Sequence, residues 1–303
     1  MNEKRTDYLR FLEPEIVSKL QSLEMRARLV VEGFIIGLHR SPYHGFSVEF
    51  AEHRQYMPGD PIRNIDWKVY GKTDRYYVKQ FEEETNLKCY IVLDCSASMN
   101  YSSKSKWLTK FDYGRQLAAS LAYLMLKQQD AVGLLTFDEK IRRFIPARMA
   151  RPHLNILLKE MDAAEPSSKT DSGSAFHELA DRVKRRGLVI IISDLLDDYE
   201  KIISGIKHFR HKKHEVVVFR ILDPREEDFN FPFEARFKDM ETGEIILTNP
   251  HQIKEAYQKQ FTEFTENLKS ETRRGLVDFN TFITTDTFDK ALFSYLAKRE
   301  KLG

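Results

Sequence analysis

An aspartate and two serines, Asp94, Ser96 and Ser98, occupy alternate positions where the run YIVLDCSASM (residues 90–99) leaves its apolar part. Three kinds of chemistry suit them. Carboxylate and hydroxyl oxygens can seat a hard divalent cation. A strand-terminal aspartate can attack phosphorus with neighbouring groups assisting. The same residues can also end a strand and cap the next helix, an ordinary task for Asp and Ser. Two later polar segments belong beside this one. The loop SSKTDSGS places Thr170 and Asp171 ahead of a helical stretch, and Ser193-Asp194 follows GLVIII directly. Taken singly, each is explained as well by a cap or a turn.

The elements that must position these residues can be read from apolar periodicity. LKCYIVLD, AVGLLTF, GLVIIISD and HEVVVFRILD read as near-continuous apolar strands, with IRRFIPA as a short strand beside the second. Between them lie helical stretches: KFDYGRQLAASLAYLMLKQQ, RPHLNILLKEMDAA, SAFHELADRVKRR and EKIISGIKHFRHK. Strands of this kind alternating with helices predict an α/β fold whose mainly parallel central sheet is covered on both faces. Towards the end, METG marks a hairpin, QIKEAYQKQFTEFTENLKSETRR a helix, VDFNTFITT a strand and TFDKALFSYLAKR a closing helix. Ahead of this α/β region, residues 1–86 read as an extension. Helical spacing of Ile16, Leu20, Leu23, Ala27, Val30, Phe34 and Leu38 gives way to extended pieces, IRNIDWKVY and DRYYVKQFEEE among them. Trp67 is expected in the core of that extension. The division expected is therefore 1–86 and 87–303.

In an open parallel sheet, ligands bind beyond the carboxyl ends of the strands, often where strand order reverses. Asp94-Ser96-Ser98, the Thr170 loop and Asp194 all fall at such ends, so neighbouring strands can bring them to one crevice. Mg2+ is the expected ion, with Mn2+ or Ca2+ as alternatives for an oxygen-rich site. Ser96, Ser98 and Thr170 offer neutral oxygens, while Asp94 and Asp194 supply charge and orient water. Few carboxylates leave the ion electrophilic enough to take an acidic group from outside.

The bulk numbers restrict the function. Lys and Arg number 48 against 46 Asp and Glu, a balance of +2 that points to neither nucleic acid nor an anionic membrane. Cys89 and Cys95, in or beside one strand, are too far apart for a disulfide and fit a reducing compartment. The apolar run LVVEGFIIGL falls short of the roughly 20 residues a bilayer span needs. A cytoplasmic protein with no transmembrane segment is expected.

The pattern Asp94-x-Ser96-x-Ser98, a later Thr170 and a strand-ending Asp194 resembles the metal-ion-dependent adhesion site of von Willebrand factor A domains. The segment VEFAEHRQYMPGDPIRNIDWKVYGKTDRYYVKQFEEE (residues 48–84), with GLVIIISDLLDD and ITTDTFDKALFSYLAKR, is similar to the domain of unknown function 58 family. The resemblance runs from about residue 37 to 299. It implies a von Willebrand factor A-like Rossmannoid three-layer sandwich with an N-terminal helical and β-rich extension. It also implies a metal at Asp94, Ser96, Ser98, Thr170 and Asp194. A glycine often follows the third-loop aspartate in that fold; here the chain reads SDLLDD. The family's association with MoxR-type AAA+ ATPases implies such a partner.

The reading that follows is a non-enzymatic, metal-dependent protein-interaction module, its ion completed by an Asp or Glu of the partner. A metal-dependent phosphoesterase using Asp94 is the enzymatic alternative. It lacks the second acid two positions on, where Ser96 stands. Neither serine lies in a GxSxG elbow, no spacing selects a base from His177, His208, His211 and His214, and no P-loop is present. A metal-free structural scaffold is the remaining alternative.

Overall fold

The structure is a computed structural model that describes residues 13–40, 53–56, 67–79, 87–167, 172–232, 235–240 and 243–300. The N-terminal part contains α1 (Pro14–Val17) and α2 (Leu23–Arg40), then β1 (His53–Gln55), α3 (Trp67–Thr73) and β2 (Tyr77–Lys79). The α/β part begins with β3 (Lys88–Asp94), a 3-10 turn (Ala97–Asn100), α4 (Lys110–Lys127), β4 (Ala131–Phe137) and β5 (Ile141–Arg148). It continues through α5 (Arg151–Ala163), α6 (Ser172–Arg182), β6 (Leu188–Ser193), α7 (Tyr199–His211) and β7 (Glu215–Leu222). Last come α8 (Pro224–Asp228), β8 (Ala235–Lys238), β9 (Ile245–Thr248), α9 (Pro250–Arg274), β10 (Asp278–Ile283) and α10 (Asp289–Glu300).

Six strands form one sheet in the order β10-β7-β6-β3-β4-β5, parallel except for β5, which runs antiparallel to β4. From β3 the chain builds outward through β4 and β5, then returns to β3's other side and builds through β6, β7 and β10. The order therefore reverses between β3 and β6, and their carboxyl ends flank the crevice where such sheets bind ligands. The register sets Leu93 opposite Ile192, which carries Asp94 and Ser193 to the same edge.

Both faces of the sheet are apolar because alternate residues of each strand enter separate cores. Ile91 and Leu93 of β3, with Ile190 and Ile192 of β6, pack under α2, α4, α5 and α10. Tyr90 and Val92, with Val189 and Ile191, pack under α6, α7 and α9. Each fully buried aliphatic side chain contributes about 1.5–3 kcal/mol, and this holds the strand ends rigidly. The result is a three-layer α/β sandwich with a mainly parallel central sheet and an N-terminal helical extension. Among the described residues no helix is long and apolar enough to cross a membrane.

Two expectations for the N-terminal part are corrected. Residues 67–73 are helical, not extended: Asp74 N donates to the Tyr70 carbonyl and Thr73 Oγ1 to that of Val69. Asp74, at φ +53°, then turns the chain out of the helix. Trp67 is 58% exposed and meets Tyr70 edge to face, so it is not core. Tyr70 stacks on Tyr76 instead. Residues 57–66 between β1 and α3, Asp60, Arg63 and Asp66 included, lie outside the described residues.

Candidate metal centre

The end of β3 turns sharply because Asp94 Oδ1 accepts from the backbone N–H of Ser96 at 2.8 Å. The other oxygen, Oδ2, accepts from the Ser193 hydroxyl at 2.5 Å, which ties the ends of the two central strands together. Ser96 Oγ lies 3.1 Å from Ser98 Oγ, so two hydroxyls stand side by side above the carboxylate. Asp94 and Ser96 are fully buried and Ser98 half-buried, giving the cluster one side towards solvent. Between them Cys95 is buried, its thiol facing the Leu93 carbonyl and pushed up to about 12 by burial first and Asp94 second.

Asp194 follows β6 and is also buried. Its Oδ2 accepts from Lys110 Nζ at 2.8 Å, its Oδ1 from Leu196 N at 3.2 Å, and its backbone carbonyl from Arg220 Nε at 3.0 Å. Lys110 is the first residue of α4, after the cap in which Thr109 Oγ1 accepts from Asp112 N. Its ammonium also reaches Glu226 Oε1 at 2.5 Å. Burial works against that charge, yet the carboxylates of Asp194 and Glu226 hold the ammonium above its ordinary pKa. Asp194 is likewise raised by burial but pulled below the usual carboxylate range by Lys110, with the Ser98 hydroxyl assisting.

Asp94 has no such cation among the described residues. Burial, followed by the charge of Asp194, pushes it up to about 7 against the opposing bonds from Ser193 and Ser96. Asp94, Asp194 and Glu226 are three buried or nearly buried carboxylates facing two buried cations, Lys110 and Arg220. The donor set is composed of hard oxygens, the kind a small divalent cation takes, with hydroxyls beside the carboxylates of Asp94 and Asp194; no group of three or more His, Cys, Asp or Glu side chains placed to share one metal occurs among the described residues.

Thr170 and its loop neighbour Asp171 lie outside the described residues. The chain leading to them is held at the same crevice: Ser167 N donates to the Cys95 carbonyl at 3.0 Å. Arg142 clamps this approach, donating to Asp138 Oδ2 at 2.5 Å and to the carbonyls of Glu165 and Ser167 at 2.6 and 2.9 Å. Just after the loop, Gly173 sits where a Cβ would come within 2.6 Å of Lys201 Cβ, so α6 and α7 approach closely there. The structure thus brings Asp94, Ser96, Ser98 and Asp194 together. The imidazoles bond elsewhere. His177 Nδ1 meets His208 Nδ1 at 2.9 Å, and His214 bonds the Val183 carbonyl.

The pairing of a Ser96/Ser98 turn with a strand-ending Asp194 at the reversal of strand order invites comparison with known proteins. A family model described as "Protein of unknown function DUF58" matches residues 52–267. The chain belongs to the DUF58 family. The matched span encloses the crevice, α8 and the β8–β9 hairpin. The chain is 28% identical to Uncharacterized protein Rv1480 of Mycobacterium tuberculosis over 238 residues, covering 77% of this chain and 73% of the relative. It is 25% identical to Uncharacterized protein YeaD of Bacillus subtilis over 165 residues, covering 52% and 38%. Among solved structures, a conserved hypothetical protein BatB from Bacteroides thetaiotaomicron has 16% identity and a TM-score of 0.45, covering 70% of this chain and 99% of that one. The SpRpn10 VWA domain has 10% identity and a TM-score of 0.41, covering 69% and 94%.

Four residues of this DUF58 site escape a reading of the motif: Lys110, Ser193 as a partner of Asp94, Arg220 and Glu226. Arg220 did leave a signal, since one charge inside the buried run EVVVFRIL demands a partner. Lys110 left none, being an ordinary lysine after a helix cap.

Proposed function

We propose that the chain is a non-enzymatic protein-interaction module whose binding depends on a divalent cation, Mg2+ foremost. Asp94, Ser96, Ser98, Thr170 and Asp194 would hold the ion, directly or through water, and an Asp or Glu of a protein partner would complete its shell. When bound, the ion supplies a positive charge that attracts an external carboxylate. The observation that carries the reading is the oxygen cluster of Asp94, Ser96, Ser98 and Asp194 at the switch point, in which Asp94 has no cation partner among the described residues. Around it the chain's own residues do the positioning. Ser193 fixes Asp94, Arg220 fixes the Asp194 backbone, and Arg142 fixes the approach to the Thr170 loop.

The resemblance to MoxR-associated proteins supports an AAA+ ATPase of the MoxR type as partner, with this chain as its adaptor. The free, buried cysteines fit a reducing compartment such as the cytoplasm. The test is affinity capture from native lysate with Mg2+, repeated with chelator and with Asp94→Ala. Recovery of such an ATPase only in the first arm supports the reading, and failure to recover one in any arm rejects that partner. A metal-free scaffold is the second reading, because Lys110 already gives Asp194 a fixed cation. It expects identical capture in all three arms.

A further inference from the structure

Beside the oxygen cluster lies a cleft of about 460 Å3, within the roughly 300–1,000 Å3 of small ligand pockets. Ser98, Tyr101 and Lys110 form its near end, so it is continuous with the candidate metal centre. Its far end is aromatic. Phe229 stacks on Tyr257 with centroids 4.2 Å apart and on Phe237 at 5.6 Å, and Phe231 meets Phe237 edge to face at 5.0 Å. This wall is built at a cost, since Phe229 holds φ +45°, a left-handed conformation rare for a bulky residue. The wall is also pinned by Tyr257 Oη, which donates to the Glu226 carbonyl at 2.8 Å.

The outer wall is β8, which pairs with β9 in a hairpin that turns at Gly243 with φ +76°. Ile246 is paired with Phe237 and therefore shares its face, yet Ile246 is 63% exposed, and Met240 and Leu196 at the rim are exposed too. The lining is basic as well as apolar. Lys110, Arg225, Arg236 and Lys238 outnumber Glu226 and Asp239, and Lys110 and Glu226 neutralise each other. Arg225 Nη1 is buried with no hydrogen-bond acceptor among the described residues, the Asp228 carboxylate standing off at 3.7 Å. A buried guanidinium nitrogen without an acceptor costs free energy that an incoming anion recovers.

We propose that this cleft receives a large apolar or aromatic side chain adjacent to the carboxylate that the partner presents to the metal centre, so the recognised element is an acidic-aromatic segment of a protein chain. The inference rests on the metal-dependent reading above and adds the chemistry of the partner. Carboxylate and ring are bound at opposite ends of one continuous cleft, with Arg225 facing the acidic part and Phe237 the ring, and with Ile246, the cross-strand neighbour of Phe237, extending that apolar face beyond the rim.

The test uses the full chain with Mg2+ and three fluorescein-labelled peptides, Gly-Ser-Asp-Trp-Ser-Gly and its Asp-Ala and Asn-Trp counterparts, read by fluorescence anisotropy. The Asp-Trp peptide is expected to bind at least tenfold more tightly than either. Phe237→Ala should abolish the preference for Trp over Ala. Ile246→Ser, at an exposed position that leaves folding intact, should reduce it at least threefold. Arg225→Gln should weaken both Asp peptides. Equal binding of the Asp-Trp and Asp-Ala peptides, with chelator still weakening both, overturns the cleft proposal and leaves the metal reading standing. A Trp preference lost in Ile246→Ser but insensitive to chelator and to Asp94→Ala supports the cleft and overturns the metal reading. Concentration-dependent dimerisation abolished by Ile246→Ser, with no peptide binding, overturns the proposal in favour of a second copy.

Discussion

Replacing Lys110 with Met tests the electrostatic design of the crevice. The ammonium is about 1% exposed and bonds Asp194 at 2.8 Å and Glu226 at 2.5 Å, with side-chain exposures of 1% and 15%. Removing one member of a buried pair leaves the other charge without a counter-ion or water, which costs about 3–5 kcal/mol. Two carboxylates lose their cation here while Asp94 sits nearby, so the upper part of that range applies before relaxation. Methionine fills most of the lysine stem's volume, and Glu226 can turn towards solvent, which brings the expected net loss to about 3 kcal/mol. For a domain of this size, that lowers the melting temperature by roughly 10 °C. Urea unfolding of the wild type, Lys110→Met, Asp194→Asn and the double variant in chelator gives the coupling directly. The double variant should be at least 1 kcal/mol more stable than the sum of the single losses predicts. Mg2+ should then stabilise Lys110→Met more than the wild type, because Asp194 is no longer shared with the ammonium. A Lys110→Met protein within about 0.5 kcal/mol of wild type, or strict additivity with Asp194→Asn, would refute the reasoning.

Three further outcomes follow from the same geometry. Asp94 holds its proton to about 7, whereas an exposed aspartate loses it near 3.8. Between those values the native state binds more protons than the unfolded state. Metal-free stability should therefore fall as pH rises through that window, and a urea-midpoint series should show the fall flattened in Asp94→Asn. Arg220→Met removes the bonds to the Asp194 carbonyl and Thr265 Oγ1, and chemical denaturation should show a loss of roughly 3 kcal/mol. Arg142→Ala releases the carbonyls of Glu165 and Ser167, so amide hydrogen exchange should accelerate across residues 164–167 while β3 and β6 keep their protection.

The sheet was legible because its strands are buried on both faces and so appear as unbroken apolar runs, VIII in β6 and VVVF in β7, bounded by helices of clear period. Asp94 and Asp194 were legible as polar residues ending such runs. The small N-terminal unit was not. WKVYGKT is rich in β-favouring residues but closes a helical turn through local bonds from Thr73 and Asp74, and its rings pair with one another, leaving Trp67 outside. Lys110 and Glu226 belong to the site through contacts 84 and 116 residues away from their partners, a relation no local pattern encodes. The aromatic cleft escaped notice for a similar reason: Phe229, Phe237 and Tyr257 come from α8's end, β8 and α9, and only the fold assembles them.

In the function proposed here, Asp94 anchors a divalent cation. Its most direct test is a titration of the metal-free full chain with Mn2+, followed by the loss of the free-ion electron paramagnetic resonance signal, for wild type and Asp94→Ala. One Mn2+ per wild-type chain is expected, displaced by Mg2+, with at least a tenfold weaker site in Asp94→Ala. Equal Mn2+ binding by the two proteins would contradict it.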